Sequence, residues 1–189
     1  MSDRLSKSTW IQHGLKTLAL SGHGALKAAS MAAELEVSRG SFYWHFVDIR
    51  DFRSQLLQSW AEATTNRVRQ ELEADTDLPD RLRALVERAL GSRLTLDRAI
   101  RAWATEDESV ARIVADVDSC RLDYIEELLR GAGVPDRQSA RRAAFLYWAL
   151  LGRTFTMDPD RTASAARRTA NELCQLFAGQ FQAPAKGLP

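Results

Sequence analysis

The sequence predicts an all-α protein, and three observations lead there. Ala, Leu and Arg are abundant while Val and Ile are few, a balance that favours helix over sheet. No stretch alternates apolar and polar residues as a half-buried strand would. Glycine and proline punctuate the chain at intervals that suit helices. The 189 residues suffice for one large domain or two small ones with a real core, and 45% apolar against 27% charged is ordinary for a globular chain.

About nine helices follow in order. The first runs from about Ser8 to Ser21, because Ile11, Leu15 and Leu18 share one face, and Gly22-His23-Gly24 stops it. A short helix covers roughly Ala28 to Leu35. After a turn through Glu36 and Val37, Ser38 is suited to cap a second short helix reaching about His45. Asp48 caps a long helix carrying Phe52, Leu56, Trp60 and Ala63 towards Ala74. Leu78 and Pro79 open the next, with Leu82, Val86, Ala89 and Leu90 as its stripe. A shorter helix near Leu96 to Ala104 precedes a long one from Glu108 to Arg130, closed by Gly131-Ala132-Gly133. The last two span roughly 136–156 and 160–181, and residues 183–189 read as a frayed tail.

Several function classes are disfavoured at once. The longest nearly uninterrupted apolar run, Ala143 to Gly152, is about half of what a membrane-spanning helix requires. The N-terminus lacks the apolar core of a secretory signal, so no membrane partner is expected. Cys120 and Cys174 are far apart, with no CxxC and no nearby histidine. This suits a reducing cytosol and argues against a disulfide scaffold, a zinc site or any other metal. Formal charge is +1, with seven Lys/Arg against five Asp/Glu up to Arg53 and nineteen against twenty beyond, too mild an asymmetry to name a partner. Enzyme signatures are missing: His13, His23 and His45 all lie in the first quarter, and neither GxSxG nor HExxH occurs. Gly22-His23-Gly24 begins like a dinucleotide fingerprint but lacks its third glycine and a preceding strand. No catalytic residues and no cofactor are therefore assigned.

The segment Leu26 to Phe46 carries the chemistry. Two short helices joined by a tight turn, with small Ala32 and Ala33 in the first, can cross closely, and Met31, Leu35, Val37 and Phe42 would fill the space between them. That leaves Ser38, Arg39, Ser41, Tyr43, Trp44 and His45 on or near the outer side of the second helix. A short helix so placed offers its N-terminal residues to the major groove of DNA, and hydroxyl and aromatic groups to flanking phosphates. A small helical hairpin with wet polar residues has the same spacing.

The run Val37-Ser38-Arg39-Gly40-Ser41-Phe42-Tyr43-Trp44-His45-Phe46 closely resembles the DNA-binding signature of the tetracycline-repressor (TetR) family of bacterial transcription regulators. Ala32 and Leu35, and the opening helix with Trp10, Ile11, Leu15 and Leu18, fit the same pattern, and the resemblance is specific over about residues 8–60. It implies a helix-turn-helix domain at 1–48 and an effector-binding and dimerisation domain at 49–182, linked by the helix 49–74. It further implies DNA contacts from Lys27, Ser30, Ser38, Arg39, Gly40, Ser41, Tyr43, Trp44 and His45. Three positions depart from the family pattern. Glu36 stands in the turn where a small residue is usual, Leu26 and Lys27 replace a serine or threonine cap, and Ile49 replaces a lysine for which Arg50 or Arg53 can substitute. Losing a cap costs about 1 kcal/mol, which a packed domain absorbs.

Beyond Trp60 such regulators share shape more than sequence. Arg121 lies within the apolar stripe Val110, Val114, Val117, Tyr124 and Leu128. A guanidinium there must snorkel, pair with a carboxylate such as Asp118, or meet a ligand. With Arg121 as anchor, Trp103, Tyr124, Tyr147, Trp148 and Phe155 are the candidate walls of an effector cavity, plain core packing being the alternative for each. The resemblance also implies a homodimer built from the last two helices, with Leu151, Ala166, Ala170, Leu173 and Phe177 as interface candidates. The reading is a ligand-responsive, dimeric, cytoplasmic regulator, most simply a repressor, acting on a palindromic double-stranded DNA operator and a small-molecule effector. Its rival is an all-helical ligand-binding or interaction module that does not bind DNA.

Overall fold

A computed structural model describes residues 5–92, 94–153, 155 and 162–179. Among these residues all regular structure is helical: α1 (Lys7–Ser21), a 3₁₀ turn (His23–Ala25), α2 (Ala28–Glu34), α3 (Arg39–His45), α4 (Ile49–Thr64), α5 (Asn66–Asp75), α6 (Leu78–Gly91), α7 (Thr95–Ala104), α8 (Glu108–Gly131), α9 (Asp136–Gly152) and α10 (Ala163–Ala178). The helix expected over 49–74 is broken at Thr65, where φ is −122° and ψ −88°. Two adjacent threonines supply the cause. Thr64 Oγ1 donates to the Trp60 carbonyl at 3.0 Å and Thr65 Oγ1 to the Ala61 carbonyl at 2.7 Å, back-bonding that bends helices. The stretch 156–161, from the end of the eighth predicted helix to the start of the ninth, and the tail at 183–189 lie outside the described residues.

The chain forms two compact units, Met1–Val68 with Arg93–Ser119, and Arg69–Ser92 with Cys120–Pro189. In the first, Ser6 caps α1 by accepting the Thr9 N–H at 3.1 Å. Gly22, at φ 75°, ends that helix in the left-handed region that glycine enters without strain. Helix α1 packs on α4 and α7. Gly14 permits the close approach to α4: a Cβ there would stand 2.5 Å from Phe52 Cζ and 2.7 Å from Leu56 Cδ1. Trp10, Phe42, Phe46, Phe52, Leu56, Trp60 and Ile100 are all sealed from solvent. The Phe42 ring lies 5.3 Å from Trp10, 5.1 Å from Phe46 and 5.4 Å from Phe52, centroid to centroid. Each such pair adds about 0.5–1.5 kcal/mol beyond area burial. The Trp60 indole N–H reaches Asp97 on α7 at 3.1 Å, and Arg101 forks onto Asp118 of α8 at 3.0 and 2.5 Å.

The second unit is built differently. Helix α10 packs along α6 and touches α9. Leu82, Val86, Leu90, Leu128, Leu129, Leu146 and Ala170 fill its interior. Two arginines close helix ends, since Arg142 donates to the Phe177 carbonyl in the last turn of α10 at 2.7 Å and Arg153 to the Leu90 carbonyl of α6 at 2.6 Å. Those carbonyls have no partner within their own helices and carry the negative end of the helix dipole. Outside, Arg69 pairs with Glu73 at 2.9 Å and Glu127 at 3.0 Å, and Arg88 with Glu71 at 2.5 Å. Exposed pairs of this kind contribute about 0–1 kcal/mol each.

Candidate nucleic-acid interface

The turn between α2 and α3 is a Schellman motif. The Val37 N–H bonds the Ala32 carbonyl at 3.0 Å and the Glu36 N–H the Ala33 carbonyl at 3.1 Å. The motif requires a left-handed residue at its centre, and Glu36 supplies it at φ 56°, the one described non-glycine residue with positive φ. The small residue usual at this position thus has a backbone reason, and a side chain there costs about 1–2 kcal/mol. At the start of α2, Lys27 occupies the cap position with extended backbone and no side-chain cap bond. Lys27 and Ser30 are both exposed. Ser38 caps α3 in position only, because its backbone is extended while its hydroxyl makes no cap bond.

Helix α3 has one buried side chain, Phe42. Its neighbours divide cleanly. Ser38, Arg39 and Gly40 are exposed, and Tyr43 and Trp44 stand out at 52% and 67% exposure. A Cβ on Gly40 would meet only Ser38 Oγ at 3.6 Å, so nothing within the protein demands glycine there. Ser41 and His45 are half-buried instead. The Ser41 hydroxyl is enclosed without a hydrogen-bond partner, and His45 Nε2 lies 2.7 Å from the Leu5 carbonyl. Because that carbonyl can only accept, Nε2 carries the proton in this contact.

Just beyond, Asp48 caps α4 by accepting the Asp51 N–H at 2.8 Å, and Asp51 reaches back to the Val47 N–H at 2.9 Å. The Gln55 amide bonded to Asp51 at 2.7 Å, with the Val47 N–H second, holds this carboxyl below its usual range. Ile49, standing where the family pattern has lysine, packs on the core. Of the two arginines that can take its place, Arg53 is turned inward, its guanidinium 5.7 Å from the Trp103 ring centroid and Nη2 at 3.5 Å from the Leu26 carbonyl, whereas Arg50 is exposed.

The effector candidates are drawn from both units. Trp103 belongs to the core of the first unit, stacked on His23 with centroids 5.3 Å apart and planes 7° from parallel. Tyr124 and Tyr147 are buried in the second unit, and Arg121 is half-buried. Burial pushes the Tyr124 phenol up, and its hydroxyl has no hydrogen-bond partner although the Arg69 guanidinium lies 4.9 Å from the ring centroid. Trp148 and Phe155 are exposed, at 59% and 66%. Of the interface candidates, Ala166 and Ala170 face the interior of their unit, while Leu151, Leu173 and Phe177 are half-buried. Sequence reasoning misses Phe145, exposed and edge-to-face with Trp148 at 5.6 Å, and exposed Leu176. The three-residue spacing of Phe145 and Trp148 on one helix is the available signal.

No protein-family model matches the chain, and no curated protein does. Solved structures do. A transcriptional regulator from Saccharomonospora viridis in complex with choline superposes with a TM-score of 0.69 at 17% identity, over 89% of this chain and 95% of that one. A TetR-family transcriptional regulator from Mesorhizobium loti gives 0.69 at 18% identity, over 90% and 94%. The multidrug binding protein EbrR, complexed with imidazole, gives 0.56 at 20% identity, over 88% and 93%. The chain therefore has the fold of the TetR-type regulators.

Proposed function

We propose that the protein is a ligand-responsive DNA-binding transcriptional regulator, acting as a repressor that a small molecule releases from a palindromic operator. The observation that carries this reading is the split of α3 about Phe42. One ring anchors the helix, while Arg39, Gly40, Tyr43 and Trp44 are left to solvent beside the exposed Lys27 and Ser30. Tyr43 keeps an edge contact with Phe42 at 5.3 Å, yet both rings leave most of their surface to solvent, where a DNA duplex offers phosphates, sugars and thymine methyls. Residues 1–48 form the DNA-binding part of this reading and residues 49–182 the effector and dimerisation part. The setting is cytoplasmic and no catalytic role is assigned.

The dimer rests on the exposed apolar surface of α9 and α10. Phe145, Trp148 and Leu176 are candidates for its centre, with Leu151, Leu173 and Phe177 beside them. A duplex reader of this kind needs two recognition helices about 34–36 Å apart, one turn of DNA. An effector that binds the wrongly spaced state more tightly drains the DNA-bound population, by no more than its differential affinity allows. Within the second unit, the unpartnered Tyr124 hydroxyl and Arg121 are the polar groups best suited to orient such a molecule.

Gel-shift titration of DNA from immediately upstream of the gene, at two salt concentrations, tests the reading. Binding that weakens steeply with salt is expected. Arg39→Ala is expected to flatten that dependence, and Tyr43→Phe to weaken binding to all sequences alike. Absence of salt-dependent binding by the folded protein would leave an interaction module without DNA.

A further inference from the structure

The His45–Leu5 hydrogen bond is at odds with the role that resemblance gives His45. A phosphate contact requires a ring N–H facing outward, yet the Nε2–H is spent on a backbone carbonyl at 2.7 Å, which leaves a neutral ring only the acceptor Nδ1, and the ring is half-buried. The bond spans forty positions of sequence and joins the last residue of α3 to the residue just before the Ser6 cap of α1. A second interaction joins the same two places. The Lys7 ammonium lies 5.7 Å from the centroid of the Phe46 ring, and Phe46 is buried in the aromatic core directly after His45. Leu5 itself packs on that core. The start of α1 is therefore clamped to the end of α3, beside the turn from which Tyr43 and Trp44 project.

Lys7 is exposed and, among the described residues, forms no ion pair. A carboxylate that feels its charge, Asp51, is already engaged by the Val47 N–H and the Gln55 amide. An ammonium so held, over an aromatic ring and without an ion-pair partner, is placed for a phosphate flanking the groove that α3 enters. Resting on the DNA-binding reading above, we infer that Lys7 is a phosphate-binding residue and that His45 is a positioning residue, which acts on DNA only by pinning Leu5 and hence Lys7.

The test is fluorescence anisotropy with a labelled duplex of arbitrary sequence, which reads phosphate neutralisation without requiring the operator. The wild type must first bind with a salt-dependent affinity; if it does not, the DNA-binding reading itself fails. Given binding, Lys7→Gln reduces the slope of log affinity against log salt by about 0.9 for each phosphate that is no longer neutralised. His45→Leu reduces it equally, the double variant reduces it no further, and His45→Gln, whose amide can donate to the same carbonyl, keeps the wild-type slope. An unchanged slope in Lys7→Gln overturns the inference. So does a double variant whose decrease is the sum of the two single decreases, because His45 would then touch phosphate itself. Should His45→Leu fail to fold, Lys7→Gln and His45→Gln decide the matter by the same slopes.

Discussion

Among the described residues, the interior of the first unit is built on phenylalanine and tryptophan rings and that of the second is not. In the first, Trp10, Phe42, Phe46, Phe52, Trp60 and Trp103 are inside, four of them meeting ring to ring. In the second, leucines, alanines, Tyr124 and Tyr147 line the interior while Phe145, Trp148 and Phe155 face solvent. The contrast follows from element length. Helices α2 and α3 have seven residues each, too few to hold themselves together by propensity, so large rings must supply their stability. Helices α6, α9 and α10 have fourteen to seventeen residues and close a core mainly with aliphatic side chains and Tyr147, which leaves Phe145 and Trp148 outside.

The harshest way to break that comparison is Phe42→Ala. Removing the ring that four others touch is expected to cost about 3–5 kcal/mol, read as a lowered denaturation midpoint. Gly14→Ala comes next. Its methyl must displace the Phe52 ring and Leu56, an overpacking that costs about 1–3 kcal/mol, partly offset by better helix propensity. Glu36→Gly runs the other way: relief of a left-handed side chain should stabilise the protein by about 1 kcal/mol, seen as a higher melting temperature. In the second unit, Trp148→Ala should change unfolding free energy by less than about 0.5 kcal/mol per folded subunit, because the ring is mostly in water. Its effect should appear as dissociation on sedimentation. A large loss of monomer stability instead would erase the contrast between the units.

The smallest effect is one of pH. Asp51 titrates below its ordinary 3.8 because the Gln55 amide and the Val47 N–H bond its ionised form. That stabilisation is present above the unfolded value and is lost as pH falls through the folded one. Asp51→Asn should therefore make acid unfolding below about pH 4 less steep, with little change in the pH dependence near neutrality.

The first unit is legible in the sequence because its signals are local. Gly22 ends α1, Asp48 caps α4 and the boundaries of α3 fall within a residue of those predicted. Even the departure at Glu36 marks the one described non-glycine residue whose backbone is left-handed. What escapes is long-range or ambiguous. The break at Thr65 depends on which way two hydroxyls turn, and nothing in the apolar pattern of 49–74 records that. Trp103 reads as a cavity wall because its partner, His23, is eighty positions away. The stretch 143–152 of α9 is apolar nearly all round, so periodicity does not tell its inward Tyr147 from its outward Trp148. His45 looks like its neighbours on α3 in sequence, and only the fold brings the Leu5 carbonyl beside it.

The single anchor of α3 has an evolutionary consequence. Only Phe42 of its seven residues is committed to the interior, so substitutions at Arg39, Gly40, Tyr43 or Trp44 leave the folded state nearly as stable as before. Sequence drift at those positions can change what the outer face of the helix recognises without first needing a compensating change elsewhere. Selection on what is recognised is thereby uncoupled from selection on whether the chain folds. A family built on such a helix can share one shape across many chains while little of its outer sequence remains in common.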